Sequence, residues 1–182
     1  MEFDEVVKRR RSIRNFSTAD VSDELVKRLI DCALMAPSSM NGQPWRFIVV
    51  RSAGTKKRLA ETKDRYCPPE KREYPAGFLR DAPVVVVTCV DRARAYDRGT
   101  ESGVLATGHL LLAAANHGLT GVYMSASKTG TPELAEEIRT ILGVPEGIDP
   151  VTIVPIGYPG EPAGPKAVIP ASEVVFHEVF GR

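Results

Sequence analysis

The spacing of apolar residues along the chain alternates between helical and extended patterns. Residues 3–7 follow helical spacing and predict a short amphipathic helix, which leads into a basic run over residues 8–14. A second helix is predicted to begin after Ser22, a residue typical of N-caps, and to end before Pro37. Its apolar stripe consists of Leu25, Leu29, Cys32, Ala33 and Ala36.

Four segments predict β-strands. Residues 45–50 are rich in β-branched and aromatic side chains, and residues 84–90 lack polar alternation, which indicates a central strand covered on both faces. Further strands are predicted at residues 121–126 and 151–157, the latter with Pro155 indicating a sheet edge or a bulge. Because helices alternate with these strands, the fold class is α/β or α+β in layers.

Three further helices are predicted between the strands. One covers residues 56–63, and another begins at Thr131 and ends at Gly143. The third, over residues 101–116, is apolar nearly all round and must be buried. In a short chain this is easiest if a second copy covers one side of the helix, so a homodimer is expected. Small residues that would let another helix approach closely are Gly103, Thr107 and Gly108.

Two segments have irregular composition. Residues 65–81 carry prolines and many charges and are interpreted as a lid or, alternatively, a solvated loop. In this segment Tyr66, Lys71 and Tyr74 could clamp a zwitterionic or aromatic substrate, and solvated side chains are the alternative. Residues 158–182 contain too few apolar groups to pack by themselves and predict a C-terminal arm that needs another surface.

Composition narrows the class of protein. The 182 residues favour a single domain over residues 1–182, and 43% apolar content supports a sizeable core. Lys plus Arg number 24 and Asp plus Glu 23, a balance that argues against nucleic-acid binding through bulk charge. No apolar stretch approaches the about 20 residues of a membrane span, and a secretory signal is absent, so a cytoplasmic protein is expected.

The three cysteines do not indicate a disulfide or a metal site. Cys32, Cys67 and Cys89 are odd in number and widely spaced, which argues against a disulfide framework or a metal-binding pair. Cys32 and Cys89 fall on apolar faces and are predicted to be buried.

Two clusters of polar residues are candidates for ligand binding. Arg10, Arg11, Ser12 and Arg14 could bind a phosphate monoester, since guanidinium groups bind its oxygens bidentately. Solvated surface charge and a nucleic-acid patch are the alternatives. The second cluster lies in the loop after Pro37 and could bind a heterocycle through uncharged hydrogen-bond donors and acceptors. Its members are Ser38, Ser39, Asn41 and Gln43. Turn formation is an alternative explanation for the two serines.

Hydrolytic machinery is poorly supported by the sequence. The only histidines are His109, His117 and His177, and none belongs to a serine or zinc hydrolase motif. His109 lies in the apolar helix, where packing or hydrogen bonding is a better explanation than a role as a base.

These segments resemble the nitroreductase superfamily of FMN-dependent oxidoreductases, in particular its short bacterial members. Residues 10–16 match an RRSxRxF-like signature and residues 36–47 match APSxxNxQPWxF. The helix end at residues 110–119 and the segment 154–161 also look like family landmarks. The resemblance implies an α+β fold with a mixed central sheet flanked by helices, and an intertwined homodimer whose C-terminal arms are swapped.

The resemblance also implies where FMN would bind. Arg10, Ser12 and Arg14 of one subunit would face the phosphate and ribityl chain, with Arg11 near the ring edge. Gly157 would lie near the phosphate, Lys166 of the arm would close over it, and the backbone of Met124, Ser125 and Ala126 would face the reactive edge of the flavin. The other subunit would contribute Pro37, Ser38, Ser39 and Asn41, with Gln43 supporting that loop.

Three positions depart from the family pattern. Val168 stands where an arginine is common in the arm, His109 where an amide is common, and the segment 124–126 lacks a glycine. These departures bear on the substrate and on the affinity for FMN more than on the identity of the cofactor.

By resemblance, the activity would be reduction of nitroaromatic, quinone or similar small acceptors by NADH or NADPH. The implied mechanism is ping-pong hydride transfer, and no catalytic side chain is required because the flavin carries the chemistry. The alternatives are a specialised member, such as a reductive dehalogenase or a flavin-degrading enzyme, and a non-enzymatic flavin-binding redox sensor.

Overall fold

The two longest strands are runs of β-branched residues and form the centre of the sheet. In the computed structural model, which describes residues 2–67, 75–127 and 130–181, strand β2 (Val84–Asp91) pairs antiparallel with β5 (Ile148–Gly157). Strand β1 (Trp45–Val50) pairs with the outer edge of β2. Strands β3 (Thr120–Gly121) and β4 (Met124–Ser125) pair with the other side of β5. These pairings confirm the central position that was predicted for residues 84–90.

Strand direction differs from the expectation. All ladders in the described part of the chain are antiparallel, so the mixed strand direction implied by the resemblance is not found within this single chain.

Helices cover both faces of this sheet, which gives an α+β fold in three layers. In chain order the α-helices of the described residues are α1 (Phe3–Arg9), α2 (Asp23–Ala33), α3 (Ala53–Arg65), α4 (Phe78–Asp81), α5 (Gly99–Asn116), α6 (Pro132–Leu142) and α7 (Ala171–Val174). Alternate residues of β2 face opposite layers: Val85 and Val87 pack with α3, α4 and α6, whereas Val84 and Val86 pack with α2 and α5. None of these helices is long and apolar enough to cross a membrane.

The predicted helix boundaries hold best where a capping group fixes them. The Ser22 hydroxyl accepts a hydrogen bond from the Leu25 amide (3.2 Å), and Gly143 ends α6 with φ of 64°. Helix α3 begins three residues before the predicted start because the Ser52 hydroxyl accepts from the Thr55 amide (3.4 Å).

Pro155 divides the predicted strand 121–126 in two. Its carbonyl accepts from the Val122 amide (3.3 Å), so the polar side of its backbone faces the gap between β3 and β4. Proline has no N–H to donate at that point, and the ladder is interrupted there. The predicted edge or bulge at Pro155 is wrong, since β5 is an inner strand and its register shift lies between Thr88 and Cys89 of the partner strand.

Helix α5 is not buried on every face in the single chain. Val104 and Leu105 are 36% and 46% exposed, and a Cβ added at Gly108 would meet nothing within 4 Å. The predicted role of Gly103 and Thr107 in helix approach is wrong, because both residues face the chain's own sheet. Thr107 is fully buried, and a Cβ at Gly103 would lie 3.1 Å from the side chains of Val90 and Val151.

The two other burial predictions have different outcomes. Cys89 is fully buried in β2, as predicted. Cys32 is exposed, contrary to the prediction, because α2 turns Val26, Leu29 and Ala33 toward the core instead.

The segment 65–81 and the arm behave differently from each other. Within residues 76–81, Ala76 and Leu79 are buried in the core and α4 begins at Phe78, whereas a role of the segment as a lid stays a prediction. Lys71 and Tyr74 lie outside the described residues. Residues 159–181 of the arm are exposed throughout, and the rings of Phe176 and Phe180 lie 4.3 Å apart. As expected from its composition, the arm does not enter the core of its own chain.

Candidate functional site

The basic segment after α1 is fixed on two sides. The Thr120 hydroxyl donates to the carbonyl of Arg11 (2.9 Å) and accepts from the amide of Ile13 (3.4 Å). Further along, the Asn15 carbonyl accepts from the Gly160 amide (2.8 Å). The segment therefore lies between β3 and the chain that follows β5, and its backbone has little freedom.

This placement separates Arg11 from the other polar residues of the cluster. Arg10 and Arg11 are half-buried, Ser12 and Arg14 are exposed, and Ile13 is buried. The Arg11 guanidinium donates to the carbonyls of Gly164 and Pro165 in the arm. Of the four predicted residues, Arg14 lines the groove described next, Arg10 and Ser12 do not, and Arg11 binds the arm.

Arg14 lines a groove of about 600 Å³ at the β4 edge of the sheet. Its guanidinium carbon lies 5.8 Å from the centroid of the Phe78 ring. Met124 and Ser125 line the same groove as Arg14, whereas Ala126 is buried; the contacts of these residues with FMN stay predictions. The remaining lining residues come from α3, α4, α6 and the chain around them: Lys63, Asp64, Tyr66, Cys67, Ala76, Phe78, Val122, Tyr123, Ser127 and Leu134.

The two phenols of the groove stay neutral at ordinary pH. Burial, helped by a hydrogen bond to Glu137, raises the pKa of Tyr66, and burial raises the pKa of Tyr123. Neutral phenols offer an aromatic face together with a hydrogen-bond donor. With Phe78 and Leu134, they form walls suited to a flat, partly polar ring system.

The loop before β1 has an unusual backbone. Met40, Asn41 and Gln43 have φ values of 51°, 52° and 47°, in a region that non-glycine residues rarely adopt. The Ser38 hydroxyl supports the loop by accepting from the Gln43 amide (3.0 Å), which confirms turn formation for this serine. A Cβ at Gly42 would lie 2.1 Å from the Arg94 carbonyl, so that position requires glycine.

Most of this strained loop lies at the surface. Pro37, Asn41 and Gln43 are exposed, and Ser39 is half-buried. Backbone conformations that cost free energy are found where the surrounding structure holds them in place, and such conformations are typical of ligand sites. The loop is therefore shaped to present Asn41 and its neighbours outward.

The loop and the groove lie at opposite edges of the sheet. One row of register partners crosses the sheet from Phe47 of β1 through Thr88 and Thr152 to Ser125 of β4. Three strand spacings amount to roughly 14 Å. None of residues 37–43 lines the groove in the part of the chain that the structure describes. A single copy thus does not bring the two predicted clusters together.

Gly157 and Lys166 remain predictions as phosphate contacts. Gly157 is buried where a Cβ would lie 2.7 Å from Cδ of Pro83 and 2.9 Å from Cδ1 of Phe16, so packing already requires a glycine. Lys166 is exposed on the arm, as is Val168 two residues later.

The described residues give little support for a histidine base, a reactive thiol or a metal site. Nδ1 of His109 lies 3.3 Å from the carbonyl of Cys32, in accord with a hydrogen-bonding role. Burial raises the pKa of the Cys89 thiol to about 12, which keeps it protonated and unreactive. Among the residues described, no three His, Cys, Asp or Glu side chains cluster so as to hold a metal ion.

Sequence reasoning missed Lys63, Phe78 and Tyr123 as groove residues. They are far apart in the chain and follow no recognisable spacing. Only the packing of the folded chain brings them together at one groove.

Comparison with known proteins places these features in a wider context. A family model described as the nitroreductase family matches residues 7–158. A protein of Methanothermobacter thermautotrophicus described as an NADH dehydrogenase/NAD(P)H nitroreductase is 33% identical over 172 residues, which cover 91% of this chain and 82% of that protein.

Two further proteins are similar over nearly their whole length. The solved structure of an FMN-dependent nitroreductase from Clostridium difficile has a TM-score of 0.81 at 26% identity, and the match covers 97% of this chain and 99% of that one. The iodotyrosine deiodinase of Thermotoga neapolitana is 28% identical over 186 residues, 94% of each chain.

Proposed function

This chain belongs to the nitroreductase family and is an FMN-dependent, NAD(P)H-linked oxidoreductase; we propose that it reduces nitroaromatic, quinone or similar small acceptors in a ping-pong cycle. The observation that carries the proposal is the groove that joins Arg14 to the edge of β4. A cation at one end and aromatic walls beside an exposed strand edge are what a phosphorylated flat ring needs.

The residues present fit FMN in charge and in shape. Arg10, Ser12 and Arg14 belong to a segment whose backbone is held by Thr120, and they would hold the phosphate and the ribityl chain. Neutral aromatic side chains from Tyr66, Tyr123 and Phe78 would line the ring system. Bound FMN supplies the hydride and electron transfer, so the chain's own residues are needed to bind, orient and keep out water.

We further propose that the site is completed in a homodimer. The uncovered stripe of α5 is apolar and includes Val104 and Leu105, and Gly108 leaves room for a second helix. The loop over residues 37–43 lies at the sheet edge opposite the groove, so only a second copy could bring Asn41 to it. The exposed apolar residues of the arm would then find a surface on the partner.

A second candidate function is reductive dehalogenation. The similarity to an iodotyrosine deiodinase over 94% of both chains favours it, since that enzyme's name describes an aromatic halogenated substrate.

Steady-state kinetics of the FMN-loaded protein separate these functions. NADH or NADPH is varied at several fixed concentrations of a quinone, a nitroaromatic compound or a halotyrosine. Parallel double-reciprocal lines with the quinone or the nitroaromatic compound are expected, because both substrates would use one site in turn. Turnover with the halotyrosine alone would favour the dehalogenase, and retention of FMN without turnover of any of these acceptors would contradict the proposed function.

A further inference from the structure

Lys63, near the C-terminal end of α3, contacts the backbone of the strand that edges the groove. Its Nζ donates to the carbonyl oxygen of Ser125 at 2.7 Å, and both residues line the groove. A hydrogen bond from an ammonium group is charge-assisted and stronger than one between neutral groups. The contact therefore fixes β4, which has only two residues and little ladder of its own.

The direction of the peptide after Ser125 determines what this edge offers to a ligand. The Ala126 amide donates to the Val151 carbonyl at 2.9 Å, so that peptide turns its N–H toward β5 and its carbonyl toward the open edge. In an extended strand the N–H and C=O of one residue point the same way, so the Ser125 amide also faces the open edge. Lys63 thus binds the Ser125 carbonyl, and the Ser125 amide still faces the open edge.

The next residue of α3 holds the opposite wall. Oδ1 of Asp64 accepts from the amide of Ala76 at 2.6 Å, two residues before Phe78. The ring of Phe78 lies against the guanidinium of Arg14. Adjacent residues in the last turns of α3 therefore fix both the β4 edge and the aromatic wall of the groove.

We infer that Lys63 is a positioning residue for the cofactor, one that covers the Ser125 carbonyl so that the β4 edge presents donors and positive charge. This inference rests on the proposed function. A carbonyl oxygen left uncovered at this edge would repel the electron density that reduction adds to a flavin ring. The ammonium removes that repulsion and adds a favourable charge, which raises the reduction potential of bound FMN.

The test compares four variants with the parent protein. Lys63→Met removes the ammonium and keeps the alkyl chain, Lys63→Gln keeps a neutral donor, and Lys63→Arg keeps a charged donor. Lys57→Met is the matched control, since Lys57 lies on the same helix, is exposed, pairs with Glu61 at 3.8 Å and does not line the groove.

Hydrogen exchange without FMN tests the contact itself. The amides of residues 123–127 in Lys63→Met should exchange about tenfold faster than in the parent, and Lys63→Arg and Lys57→Met should resemble the parent. Unchanged exchange in Lys63→Met would overturn the inference, because the contact would then contribute nothing to the strand.

Potentials and rapid-reaction rates with FMN test the consequence. In Lys63→Met and Lys63→Gln the midpoint potential should fall and anaerobic reduction by the nucleotide should slow about tenfold, with the Kd for FMN little changed and with recovery in Lys63→Arg. A parent-like midpoint potential in both Lys63→Met and Lys63→Gln would overturn the inference about Lys63 and would leave the proposed function standing. Failure of the parent to bind FMN would instead overturn the proposed function.

Discussion

At the scale of single residues, the side of the chain that a residue faces decides its role more than its charge does. Arg10, Arg11 and Arg14 are neighbours in sequence, yet Arg11 binds carbonyls of the arm while Arg14 faces the groove. The sequence predicts the basic cluster from residue types and spacing. It does not show which guanidinium binds the arm, because that depends on contacts more than 150 residues away in the chain.

The double substitution Arg10→Ala with Arg14→Ala should weaken FMN binding by about 100-fold, since a hydrogen bond to a charged group contributes roughly 1.5–3 kcal/mol. Titration calorimetry with FMN and with riboflavin measures the effect. Riboflavin lacks the phosphate, so its affinity should change little. Arg28→Ala, on the exposed side of α2, serves as the control. An equal loss for both ligands would show that the two arginines do not bind the phosphate.

Two substitutions of Asn41 separate the contribution of its side-chain amide from the effect of its backbone conformation. Because its φ is 52°, Asn41→Gly keeps the conformation and removes the amide, whereas Asn41→Ala also costs about 1–2 kcal/mol in backbone strain. Both variants should slow flavin reduction by the nucleotide, and only the alanine variant should melt at a lower temperature. A parent-like rate in the glycine variant would remove Asn41 from the site.

At the scale of elements, burial pattern and caps predict most of the fold. The continuous apolar run of β2, the Ser22 cap and the Gly143 stop all appear where the sequence places them. The break between β3 and β4 was not predicted, because it depends on Pro155 of a strand that is distant in sequence. Likewise, composition alone does not say that Gly103 and Thr107 face the sheet while Val104 and Leu105 face outward.

The arm is the element with the least support from its own chain. Residues 159–181 are exposed throughout, with Val168 and Phe180 75% and 90% exposed. A chain ending before Lys166 should form a weaker dimer and release FMN, because it loses this apolar surface and the predicted phosphate contact. Sedimentation velocity over a dilution series, combined with flavin fluorescence, measures both effects.

A chain ending after Val179 is the control for that truncation, since it keeps Lys166 and most of the arm. Its dimer should resist dilution as the full chain does. A truncated protein lacking residues 166–182 that stays dimeric and keeps its FMN would contradict the role of the arm.

At the scale of the whole molecule, the sheet separates the two predicted clusters of polar residues, and one copy does not bring them together. The groove with Arg14 lies at the β4 edge, and the strained loop with Asn41 lies at the β1 edge. The sequence predicts both clusters from local composition. Their separation follows only from the strand order, and it supports the proposal of a site shared between two copies.

The visible spectrum of the purified, FMN-supplemented protein tests the central claim most directly. It is recorded under anaerobic conditions before and after addition of NADH or NADPH, once unbound flavin has been removed. An oxidised flavin spectrum that bleaches with one of the nucleotides is the predicted result. A protein that retains no flavin, or whose bound flavin stays oxidised with both nucleotides, would contradict its assignment as an FMN-dependent, NAD(P)H-linked oxidoreductase.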